Sequence, residues 1–170
     1  MLLDLIDLSK LRRAVVYGLL LALLFTLQDL LISRITLLGV HAMLIPSAVV
    51  AIGLFDGSLW GGLVGLAAGY FMDLGYPEHV ALFAVLLTTA GFLSGALGKY
   101  MLHRGFLSYL VLVFLAVAVI TFCQMFRFLF FADTDSAAVL RTGLLQLLWS
   151  LPWAVPVYFP CRAAAGHQDG

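Results

Sequence analysis

The side chains that could do chemistry are few and dispersed. The four histidines, His41, His79, His103 and His167, stand singly, and no pair has the spacing of metal ligands. Cys123 lies within a long apolar run and Cys161 at a segment end. Far apart in sequence and without a partner at ligand spacing, both read as small apolar fillers. No serine sits in a nucleophile elbow, and no phosphate-cradling loop precedes a lysine. The remaining polar candidates are Gln28, Asp29, Asp73, Glu78, His79, Gln124 and Arg127.

One pairing of carboxylates needs testing against a metal-dependent reaction. Asp56-Gly57 followed by Gly69-x-x-x-Asp73 faintly resembles the signature of CDP-alcohol phosphotransferases. That family holds two metal ions on several aspartates and carries an Ala-Arg pair after the Asp-Gly. Here the Ala-Arg position reads Trp60-Gly61, the last aspartate position reads Pro77, and the upstream one reads Gly53. Too few carboxylates remain to hold divalent metals. The reading is rejected, and neither an enzymatic activity nor a cofactor is expected.

The elements that would position these residues follow from composition. The 170-residue chain is 64% hydrophobic and 11% charged, with a mean hydropathy of +1.10. A soluble domain carries more than twice that charge fraction, so the expectation is an all-α integral membrane protein of one domain. A formal net charge of zero implies no general attraction to nucleic acid. Membrane lipid is the expected surrounding.

Met1 to Arg13 sets Leu2, Leu3, Leu5, Ile6, Leu8 and Leu11 opposite Asp4, Asp7 and Lys10, a pattern that suits a short interfacial helix. Six apolar runs follow, predicting membrane helices over 14–32, 37–55, 57–73, 80–98, 106–131 and 142–160. Most approach the roughly 20 residues needed to span the hydrocarbon, and the third is expected to be the shortest. Connections are short, with a turn at Asp56, so sequence neighbours should be antiparallel neighbours. The first run is long and lacks a small-x-small cleavage site, so it should remain as a membrane helix. Placing the N-terminus inside puts Lys10, Arg12, Arg13, Lys99, Arg104 and Arg162 on cytoplasmic flanks, against Arg34, Arg127 and Arg141 outside. Both termini are therefore expected in the cytoplasm.

Gly57, Gly61, Gly65 and Gly69 recur at every fourth position, and Asp73 continues the row. Glycine inside a soluble helix costs about 0.5–1 kcal/mol relative to alanine. In a bilayer, small residues at this spacing let two helix backbones approach closely. Gly91, Gly95 and Gly98 form a second small-residue face in the fourth run, a natural partner for the first. The row packs either within the bundle or against another protein. Asp73, just before Gly75-Tyr76-Pro77, marks a pathway, a partner contact or an interfacial position. Pro46 falls inside the second predicted helix, where it should kink or break it. Pro152, Pro156 and Pro160 predict bending of the last helix, and Arg127 is expected to snorkel outward.

On these features the chain resembles the rod shape-determining MreD family of bacterial membrane proteins. The shared features are a proline (Pro46), a short turn, then glycines at four-residue spacing closing on an aspartate (Gly57, Gly61, Gly65, Gly69, Asp73). The small-residue stretch with Gly91 and Gly95, and the proline-bearing last helix, are similar too. The chain departs from the family after Asp73, reading Leu74-Gly75-Tyr76-Pro77-Glu78-His79 where a Ser/Gly-rich loop is usual. The resemblance implies a non-enzymatic scaffold of the cell-elongation machinery in the inner membrane. Its implied partners are the bitopic protein MreC, the RodA glycosyltransferase, a class-B penicillin-binding protein and the MreB filament. It also implies a fold similar to the substrate-binding subunits of energy-coupling-factor vitamin transporters. That likeness carries the alternative function, substrate binding for vitamin uptake, which would need the outer polar residues to converge on a cavity.

Overall fold

A twelve-residue helix forms the axis of the protein. In the computed structural model, which describes residues 8–32, 43–75, 81–100, 105–131 and 136–166, every regular element is helical. Helix α1 (Leu8–Leu27) runs into one π-helical turn, Gln28–Ile32. It is followed by α2 (Ile45–Asp56), α3 (Ser58–Gly75), α4 (Leu82–Tyr100), α5 (Phe106–Phe131) and α6 (Ser136–Gly166). Helix α2 is apolar all round, as a wholly enclosed helix must be, and Ile45 through Leu54 are all buried. The other five helices pack around it.

Of the two outcomes expected at Pro46, a kink or a break, the described residues show no kink, and the predicted run before Met43 lies outside them. Helix α2 begins at Ile45 and carries Pro46 in its first turn, where a missing N–H breaks no intrahelical bond. Pro46 therefore starts the helix instead of kinking it. At about 18 Å long, α2 is also the shortest α-helix among the described residues, where the glycine-bearing third run was expected to be. The two residues that lead into α2 are held from both sides: the Met43 N–H donates to Ser150 Oγ (3.0 Å) and the Leu44 N–H to Gln28 Oε1 (3.2 Å). Such partners are what a helix end needs at membrane depth.

Gly57 ends α2 and starts α3 in one residue. Its φ of 96° and ψ of 174° lie in a region open essentially to glycine alone. The helical ladder closes up to it on both sides, through Gly57 N to Gly53 O (2.9 Å) and Gly61 N to Gly57 O (3.0 Å). The expected turn at Asp56 is thus made one residue later.

Other boundaries shift as well. Leu8 to Arg13 is continuous with α1, so the basic triplet lies inside the first helix, and the earlier part of the expected interfacial helix, Met1 to Asp7, lies outside the described residues. The last helix starts at Ser136 and runs through Pro152, Pro156 and Pro160 to Gly166. All three prolines face outward. On the inner side of that stretch the Tyr109 hydroxyl donates to the Ala154 carbonyl at 2.9 Å.

Among the described residues, four stretches are long and apolar enough to cross a membrane: Leu11–Leu30, Leu82–Lys99, Phe106–Phe126 and Ala137–Ala163. Their outward faces carry side chains such as Leu19, Leu107, Phe122 and Leu148, each more than half exposed. An apolar exterior of this kind marks an α-helical membrane protein. Successive helices run antiparallel. Tyr17, Asp56, Trp60, Phe106 and Tyr158 meet at one end of the bundle through ring contacts and a hydrogen bond. Phe25, Phe71, Asp73 and Phe83 lie at the other. The first described residues of α1 and the last of α6 therefore share an end.

Candidate functional site

The glycine row is spent inside the fold. Helix α3 lies along α4 for most of its length, and the glycines are the line of closest approach. A Cβ on Gly65 would lie 2.7 Å from the Leu87 carbonyl carbon, and one on Gly69 would lie 2.5 Å from the Phe83 carbonyl oxygen. A Cβ on Gly61 would collide with the Gly91 carbonyl oxygen and stand 2.5 Å from Cα of Gly53. Real side chains do not occupy such spaces, so each position requires glycine for contact and not for its own dihedrals.

Gly91 and Gly95 are the complementary surface. A Cβ on Gly91 would meet the Gly61 backbone, and one on Gly95 would meet Ser58 N and Gly57 C. Gly98 continues the face toward α2, where an added Cβ would lie 2.8 Å from Leu54 Cδ1. Gly53, Gly61 and Gly91 together make a junction where three backbones converge. The buried Ser94 hydroxyl there bonds back to its own helix at Gly91 O (2.9 Å), so no unsatisfied polar atom faces Gly53. Gly57 has nothing within 4 Å of a built Cβ; its role is the turn.

Gly53 was missed by the sequence reading. The signal was present, because Gly53 extends the four-residue register of the row by one step. It was hidden by the change of helix at Gly57.

Asp73 completes the seam. Its Oδ1 accepts from the Phe83 N–H (3.0 Å) and its Oδ2 from the Ala84 N–H (2.9 Å). These donors belong to the first turn of α4, where a helix leaves N–H groups unpaired and its dipole favours an anion. A carboxylate at the end of one helix thus caps the start of the next. The approach of the two backbones at Gly69 brings the aspartate within reach.

The other polar candidates do not gather. Gln28 is engaged with the Leu44 N–H at the start of α2, and Gln124 is half-buried on α5. Glu78 and His79 lie outside the described residues, as does the side chain of Arg127. Asp56 receives the hydroxyl of the buried Tyr17 and lies roughly 25 Å along α3 from Asp73. The two carboxylates of the rejected metal signature therefore sit at opposite ends of a helix. Among the described residues no group of three His, Cys, Asp or Glu side chains is placed to hold a metal ion.

Among the described residues, two of the clefts between helices are apolar. One of about 120 Å³ lies between α4 and α5 over Val50. The other, about 470 Å³, lies between α5 and α6 beside Thr121, Met125 and Gly143. Neither presents converging charged groups of the kind that orient a polar ligand. Comparison with family models, with curated proteins and with solved structures finds no match.

Proposed function

We propose that the chain is a non-enzymatic membrane scaffold of the bacterial cell-elongation machinery, like the MreD proteins it resembles, supporting rod shape and lateral peptidoglycan synthesis. The observation that carries this reading is the use of its motif. The residues shared with that family, Gly57, Gly61, Gly65, Gly69 and Asp73, are all committed to turning, packing and capping one helical hairpin. A motif spent on rigidity suits a protein that works by presenting a fixed apolar exterior to other membrane helices.

In this reading α2 and α3 cross the membrane with the other four helices, in an arrangement like that of the vitamin-transporter substrate subunits. The positive-inside tendency places Arg12, Arg13, Lys99 and Arg162 on the cytoplasmic side of the inner membrane, with both termini there. Partners of stated class are an MreC-like bitopic protein, RodA, a class-B penicillin-binding protein and MreB. Because the glycine seam is filled by α4, such partners would meet the outward faces and not the seam. Purification of the tagged protein in mild detergent, with identification of what accompanies it, tests the reading. Recovery of MreC-like or RodA-like proteins is expected. Recovery of a transport ATPase with its membrane coupling subunit would overturn it in favour of vitamin uptake.

A further inference from the structure

We propose that α1 is a hinged arm, latched to the bundle at its middle and at its C-terminal turn and able to swing away as a unit while α2, α3 and α4 stay joined. The inference is independent of the scaffold reading. It starts from how differently α1 and α3 are held. Helix α3 meets α4 backbone to backbone, with no room for a Cβ at Gly61, Gly65 or Gly69. Helix α1 has no such approach at its own glycine, since a Cβ on Gly18 would find nothing within 4 Å. It buries one narrow stripe, Tyr17, Leu21 and Leu24, and leaves Leu11, Val15, Leu19, Leu23 and Leu30 more than half exposed.

In lipid, apolar side chains gain little by exchanging lipid for protein, so helices hold together through close packing and cross-helix hydrogen bonds. Helix α1 is poor in the first and draws on the second. At the middle of α1 the Tyr17 hydroxyl, 1% exposed as a residue, donates to Asp56 Oδ2. The Tyr17 ring also leans on Trp60, with centroids 6.1 Å apart. Just past its C-terminal end Gln28 Oε1 accepts from the Leu44 N–H at 3.2 Å. That latch sits where α1 enters its π-helical turn, a local change of winding common at functional positions. Between the latches Phe25 meets Phe71 edge-on, with centroids 6.1 Å apart.

The latches also explain Asp56. A carboxylate at a helix C-terminus opposes the helix dipole, and Asp56 ends α2. The Tyr17 hydroxyl satisfies it in the closed state. Swinging α1 outward frees Asp56 and bares Trp60 at the α2–α3 turn.

Distances between spin labels in nanodiscs test this directly. Labels at Leu19→Cys and Leu63→Cys report α1 against α3. Labels at Leu63→Cys and Val85→Cys report α3 against α4. All three positions are more than half exposed, and Cys123→Ala with Cys161→Ala provides the background. In the doubly unlatched Tyr17→Phe, Gln28→Ala protein, a second α1–α3 distance longer by roughly 10 Å, one helix diameter, is expected. The α3–α4 distance should stay single. Gln28→Ala alone keeps the Tyr17 latch and should give a smaller fraction of the long distance. An unchanged α1–α3 distance in the doubly unlatched protein would overturn the proposal. So would broadening of both pairs together in both variants, because the bundle would then loosen as a whole.

Discussion

Gly61 of α3 and Gly91 of α4 exclude side chains from each other: a Cβ on either would fall on the other's carbonyl oxygen. The relationship is reciprocal, so neither helix can move aside to admit a methyl at one position without opening the other. Backbone carbonyls, unlike the ends of flexible side chains, have nowhere to rotate. The seam is thus fixed by steric exclusion along one line, with Asp73 closing its far end.

Adjacent glycines on α3 should therefore behave in opposite ways. Gly61→Ala inserts a methyl against backbone and should destabilise by about 1–3 kcal/mol or more, the range for overpacking. Gly62→Ala meets nothing nearer than Phe92 Cβ at 3.8 Å and should be neutral, or stabilising by up to about 1 kcal/mol through helix propensity. Denaturant unfolding in detergent, followed by circular dichroism, separates the two. A Gly61→Ala, Gly91→Ala double variant should depart from additivity, since both changes strain one contact.

Space alone does not decide every glycine. Gly57 has open surroundings, yet its φ of 96° makes Gly57→Ala a strained substitution, costing on the order of 1–3 kcal/mol. Ala81, just before α4, shows the converse. It holds a φ of 55° with a side chain, a left-handed conformation that costs an L-residue roughly 1–2 kcal/mol. Ala81→Gly is expected to raise the unfolding midpoint modestly, even though it removes a side chain. A lowered midpoint would show that the methyl group contributes more than the strain removes.

Gly143 offers a milder case. A Cβ there would meet the Met125 thioether and lie 3.0 Å from Thr121 Cγ2. Methionine is flexible and can withdraw its sulfur, so Gly143→Ala should cost less than about 1 kcal/mol, near the low end of core overpacking. Comparison with Gly65→Ala in the same unfolding experiment gives the check, and Gly65→Ala should be the more damaging.

What could be read from the sequence was mostly local. The four-residue spacing of the glycines is plain in the sequence, and three of them, Gly61, Gly65 and Gly69, lie against the backbone of α4, while Gly57 makes the turn. The start of α2 was harder. Leu37 to Phe55 is apolar apart from His41, Pro46 and Ser47, and Pro46 marks where α2 begins. The Tyr17–Asp56 bond joins residues 39 positions apart, and nothing in the local pattern of either residue names the other. The role of Asp73 needed the three-dimensional path of the chain, since its partners are backbone N–H groups of Phe83 and Ala84 that carry no side-chain signature.

That last point gives the sharpest test of the seam. Asp73→Ala removes both acceptors from the first turn of α4 and should cost about 0.5–2 kcal/mol, as for other helix caps. Asp73→Asn keeps one carbonyl oxygen and loses the charge that the helix dipole favours, so it should fall between. The readout that isolates this role is amide hydrogen exchange at Phe83 and Ala84, measured beside amides at the middle of α4. Exchange should rise at the first two positions in the order wild type, Asp73→Asn, Asp73→Ala, with the middle of the helix little changed. Uniform exchange along α4 would instead mean that the carboxylate supports the whole hairpin. The Gly69 approach would then depend on the clasp, and not the clasp on Gly69.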